Sequence, residues 1–185
     1  MMRAASFVIV LVLLFVPAGA GGAEEWISDS TTNCRVLKGD PKPNERVSWS
    51  GRCVDGRASG PGTMVLYHDK LETIRYEGEL KEGKYNGKGT LTTITGNNYT
   101  GDFVDGKPHG KGAVIYPKGG GYEGDFVDGK PHGKGTLTWV TGRKYEGDFI
   151  NGGFHGKGTI ICANGKKIPG VFENGKPVGF VIKCD

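Results

Sequence analysis

The chain has 185 residues, a net charge of +4 and 34 glycines. So mild a basic balance excludes the clustered positive footprint of a nucleic-acid binder. Glycine at this abundance would signal disorder if scattered, but here it recurs at fixed offsets and is therefore architectural.

In chain order, Met1-Met2-Arg3 precedes an apolar run from Ala4 to Val16, and Pro17-Ala18-Gly19-Ala20 follows with small residues. The run falls short of the roughly 20 apolar residues that span a bilayer. Residues 1–23 therefore read as a cleaved export signal, cut after Ala20 or Ala23, which places the mature chain in the periplasm or outside the cell. The cysteines Cys34, Cys53, Cys162 and Cys184 form no C-x-x-C pair, so they give no local support for zinc or thioredoxin-like chemistry. In an oxidising compartment an even number favours disulfides. Of the three connectivities open to them, Cys34–Cys53 with Cys162–Cys184 is expected, because each pair sits near its own end of the repeats.

Residues 24–48 are expected to form an N-terminal cap, with Pro41 and Pro43 in a turn between Val36-Leu37 and Val47-Trp49. A β-hairpin array is expected over 49–185. Its first unit, from Trp49, carries a four-residue insertion around His68–Thr73. Clean 23-residue copies start at Tyr76, Tyr99, Tyr122 and Tyr145 and fill 76–167, and a degenerate copy at 168–185 closes the array.

The third copy reads YEGDFVDGKPHGKGTLTWVTGRK. Counting its tyrosine as offset 0, Tyr122, Gly124 and Phe126 alternate with Glu123 and Asp125, the period-2 pattern of a strand with one apolar face. Asp128-Gly129 supplies a turn, and Pro131 is expected to break the ladder. A second alternating strand is expected from Gly133 to Trp139, and Thr141-Gly142 turns the chain into the next copy. The predicted fold class is all-β: an elongated single-layer solenoid of stacked antiparallel hairpins.

Glycines at offsets 2 and 13 share a face with the rings, leaving troughs in which an aromatic side chain can lie flat over the backbone. Tyr76, Tyr99, Phe103, Tyr122, Phe126, Tyr145 and Phe149 are the candidate binding residues of an aromatic groove, and their rings also suit a packed core. The opposite face carries Glu77, Glu79, Asp102, Glu123, Asp125, Glu146 and Asp148 beside Lys88, Lys111, Lys134 and Lys157, acid and base ladders that neutralise each other.

Sites of chemistry are absent from the pattern. His109, His132 and His155 recur at offset 10, but equivalent residues two strands apart stand about 10 Å from one another. Ligands must approach an ion within about 2.1 Å, so no metal is expected. Gly129 to Thr136 superficially matches a phosphate loop, yet Lys134 is followed by Gly135 and no helix is predicted after it. The repeated carboxylates offer no distinguished pocket. No catalytic residue, enzyme activity or cofactor is expected.

The sentence Y-E-G-D-F-x-x-G-x-x-H-G-K-G-T, repeated every 23 residues, resembles the MORN repeat (membrane occupation and recognition nexus). The likeness is close over 76–167 and loose over 49–75 and 168–185. It implies a twisted array of antiparallel hairpins with an aromatic-lined groove, and binding or scaffolding of proteins or membrane lipids. With its export signal and cysteine-flanked caps the chain is similar to the small secreted bacterial members of that family. The function expected is a non-catalytic exported module that recognises a protein partner through the groove, with self-association through an end unit as a further mode. The alternative is envelope binding of lipid headgroups or cell-wall glycan, at a membrane surface or the cell wall.

Overall fold

The computed structural model describes residues 25–38 and 41–184. The expected export signal at 1–23 lies outside the described residues. Every regular element among them is a strand: β1 (Trp26–Ser28), β2 (Arg35–Leu37), β3 (Glu45–Trp49), β4 (Arg52–Val54), β5 (Arg57–His68), β6 (Leu71–Lys81), β7 (Lys84–Thr93), β8 (Asn98–Val104), β9 (Lys107–Ile115), β10 (Gly121–Val127), β11 (Lys130–Thr138), β12 (Lys144–Ile150), β13 (Gly153–Ile161), β14 (Lys167–Glu173) and β15 (Lys176–Pro177). All belong to one sheet, and from β5 to β15 each strand pairs antiparallel with the next in sequence. The stacked hairpins expected from the 23-residue period are thus the observed architecture.

The hairpin inside each repeat closes through two residues that both have positive φ, as in Asp105-Gly106 (48° and 84°) and Asn151-Gly152 (51° and 86°). Such turns match the right-handed twist of the strands they join, and Asp or Asn followed by Gly tolerates them best. The insertion near His68 lengthens one hairpin, which Asp69-Lys70 closes at φ 48° and 73°.

One local expectation is corrected. The second strand of each unit begins at offset 8, not after the proline: Pro131 lies inside β11, opposite Phe126. Only the proline carbonyl is needed there. It accepts from the turn glycine of the following hairpin, Gly152 N to Pro131 O at 2.8 Å, as Gly129 N does to Pro108 O at 2.9 Å. The extra residues are absorbed by a bulge, since Gly124 faces Gly135 while Asp125 faces His132. Gly133 and Lys134, skipped on that side, pair with Phe149 and Asp148 of the next hairpin instead. The bulge therefore turns the offset-12 lysine toward the neighbouring repeat.

In the cap, Pro41 and Pro43 lie in the connection between β2 and β3. Val36-Leu37 and Val47-Trp49 go to separate neighbours: β2 pairs with β1 and meets β5 at one parallel bridge, Arg35 to Arg57, whereas β3 runs antiparallel along β5. Asp29 ties the two together by accepting the backbone N–H of Trp49 at 2.7 Å and those of Thr31 and Thr32 at 2.7 and 3.0 Å. Disulfides join Cys34 to Cys53 and Cys162 to Cys184, one at each end.

Candidate functional site

The two faces of the sheet divide structure from surface. On one, the tyrosine of each unit lies over the two glycines of its own hairpin, and a methyl group on Gly135 would sit 2.5 Å from Cε2 of Tyr122. The phenol then donates to the backbone carbonyl three residues on, Tyr99 to Asp102 and Tyr122 to Asp125 at 2.9 Å, Tyr145 to Asp148 at 3.0 Å. Tyr99, Tyr122 and Tyr145 each meet the phenylalanines of their own and the next unit edge to face, Tyr122 standing 5.1 Å from Phe126 and 4.9 Å from Phe149, whereas Tyr76, with Leu80 in its own unit, meets only Phe103 of the next. Such pairs each contribute about 0.5–1.5 kcal/mol beyond area burial. Burial holds the Tyr76 and Tyr145 phenols up at about 12 and pushes those of Tyr99 and Tyr122 further the same way.

Tyr76, Tyr99, Phe103, Tyr122, Phe126, Tyr145 and Phe149 are all 2 % exposed or less. The structure brings the seven candidate groove rings together as the core of the array, where no partner can lie against their faces. A lone sheet gains its hydrophobic stabilisation only by folding these rings onto its own backbone, and the glycine troughs make that possible. The same device recurs where the tyrosine is missing. Trp49 covers Gly51 and Gly62 and donates Nε1–H to the Arg52 carbonyl at 2.8 Å. At the other end Ile168 occupies the tyrosine position, and Phe180 from the tail lies on Gly170 instead.

The opposite face is polar and open. Because the bulge turns each lysine toward the next hairpin, ion pairs run between repeats: Lys88–Asp102 at 3.1 Å, Lys111–Asp125 at 2.6 Å and Lys134–Asp148 at 2.6 Å. The bond from Lys111 holds the Asp125 carboxyl below its ordinary range, with help from the Lys134 N–H and against partial burial. A second row, Glu77, Thr90, Thr100, Ala113, Glu123, Thr136, Glu146 and Thr159, runs beside it in cross-strand register. A shallow depression of ≈ 550 Å³ opens on this face near its C-terminal end, between Lys134, Glu146, Lys157, Thr159 and Val171.

With that geometry in view, a family model for the MORN repeat matches residues 76–98, 99–121, 122–142 and 145–167. The chain carries four MORN repeats. Repeats of this kind are generally protein- or membrane-binding modules without catalytic activity. No curated protein matches the chain. Within the MORN array His132 and His155 sit opposite Asp125 and Asp148 of their own hairpins. Among the described residues no three metal-ligating side chains come together. Sequence reasoning missed Tyr85 and Phe154, which hold the proline position in their hairpins and pack on Tyr76 and Tyr145 at 4.2 and 4.0 Å. Their place at offset 9, beside a turn, was the available signal.

Proposed function

We propose that the MORN array is a non-catalytic, exported binding module that recognises a protein partner across its polar face. The carrying observation is the division of labour between faces. The rings are consumed by the core, while the ion-pair and Glu/Thr rows repeat every two strands, roughly every 10 Å, along an open surface. The aromatic rows thus shape the array, and contact with a partner falls to the charged side. Two disulfides support an oxidising compartment. The glycan alternative loses its stacking platform, since buried rings cannot meet a sugar.

Site-specific photocrosslinking tests this reading. Benzoylphenylalanine at Thr90 or Thr136 should trap the same partner in the source's envelope fraction, and at the loop residue Val140 it should not. Adducts that form only from the loop position would place the contact elsewhere.

A further inference from the structure

We propose that the C-terminal end of the polar face docks an extended protein segment bearing a carboxylate and, two residues on, an apolar side chain. The inference rests on the protein-binding reading above and names the chemistry of its partner.

In the four clean repeats every first strand places at least one acid on this face: Glu77 and Glu79 on β6, Asp102 on β8, Glu123 and Asp125 on β10, Glu146 and Asp148 on β12. On β14 the same two positions hold Pro169 and Val171. Lys157 therefore faces Val171 where Lys88, Lys111 and Lys134 each face an aspartate. Its side chain is exposed and has no ion pair or hydrogen bond among the described residues. The depression opens at this break in the ladder, with Lys157 beside Thr159 and with Pro169 and Val171 exposed on the next strand.

The break decides the ligand. A carboxylate from outside can take the place of the missing aspartate on Lys157. Glu146, on the other flank, repels a second acid and leaves one location for it. Alternate side chains of an extended chain point the same way about 7 Å apart, so the residue two positions on reaches across to Val171 and Pro169. The backbones of β13 and β14 are already paired with each other. Recognition therefore runs through side chains and adds no strand.

The test is an amide-resolved NMR titration of the full mature chain at low salt with acetyl-Thr-Asp-Thr-Leu-Thr-amide, and with its Asn counterpart. Shifts should centre on Lys157, Thr159 and Val171. The Asn peptide should bind about two- to fivefold more weakly, the scale of one exposed ion pair. Lys157→Gln should lose the same factor, as should Val171→Asp, which supplies the carboxylate internally. Lys118→Gln, in the exposed loop between β9 and β10 and outside the charged rows, should change nothing, and unchanged thermal melts would show that all variants fold. Equal binding by Val171→Asp, equal binding of the Asn peptide, or shifts spread evenly along all four lysines would overturn the proposal. So would binding of anionic phosphatidylglycerol vesicles that survives Val171→Asp while the peptide stays inert. If Thr90 and Thr136 crosslinks persist in Val171→Asp, only this inference fails; if neither position crosslinks, the reading beneath it fails.

Discussion

Gly135→Ala isolates the contact on which the array depends. Gly135 lies in β11 without a left-handed φ, so the added methyl acts through space alone. That methyl would stand 2.5 Å from Cε2 and 2.6 Å from Cζ of Tyr122, against an ordinary contact of 3.4–4 Å. The ring cannot step aside freely. Its hydroxyl is bonded to the Asp125 carbonyl at 2.9 Å, and Phe126 and Phe149 abut it. Overpacking of this kind costs about 1–3 kcal/mol. Detaching the buried hydroxyl adds about 1–3 kcal/mol, and replacing glycine in a strand returns about 0.5–1 kcal/mol. The net loss should be about 2–4 kcal/mol, measured by urea unfolding followed by far-UV circular dichroism. In a Tyr122→Leu background the same substitution should cost at least about 1 kcal/mol less, because the obstructing ring is gone. A Gly135→Ala chain within about 0.5 kcal/mol of wild type, or an equal cost in both backgrounds, would refute the stacking argument.

Alkali should unfold the chain. With phenol pKa values raised from 10.0 to about 12 at Tyr76 and Tyr145, the folded state holds protons that the unfolded state releases. Stability is full below pH 10 and falls as pH climbs through 12; phenolate absorbance rising near pH 10 with no loss of structure would contradict this. At the acid end, burial opposes ionisation of Asp29, but N–H bonds from Thr32, Trp49 and Thr31 outweigh it and lower its pKa from 3.8. Its contribution is present above that value and lost as pH falls through the folded one, and Asp29→Ala should cost about 2–3 kcal/mol and speed amide exchange at Trp49. Replacing Cys162 and Cys184 by alanine opens a crosslink of sequence separation 22 and should cost about 3 kcal/mol by loop entropy. An unchanged urea midpoint would show that the tail is held by Phe180 packing alone.

The sheet and the charged face were legible because period-2 alternation and a fixed 23-residue repeat constrain both faces at once. Three features were not. Pro131 read as a strand breaker because a proline's missing donor is visible in sequence, whereas the inter-hairpin bond to its carbonyl is not. The rings read both as a candidate groove and as a packed core because exposure is a three-dimensional property. Only the flat stacking of Tyr122 on Gly124 and Gly135, closed off by Phe149 of the next unit, removes them from solvent. The pairing of lysines with the following repeat likewise depends on the bulge at Gly133, which no spacing rule announces.

Evenness itself has a consequence for recognition. The rungs Lys88–Asp102, Lys111–Asp125 and Lys134–Asp148 present the same chemistry three times. A segment that read only these would bind in three registers, gaining about 0.6 kcal/mol of statistical affinity and losing any fixed position. A partner held in one place must therefore engage a point where the repeat departs from itself. On the polar face the departure that alters charge at the C-terminal end is β14, where Pro169 and Val171 replace the acids and leave Lys157 open. The regular rungs then act as a straight-edge that orients the partner, and the broken rung sets where along it the partner stops.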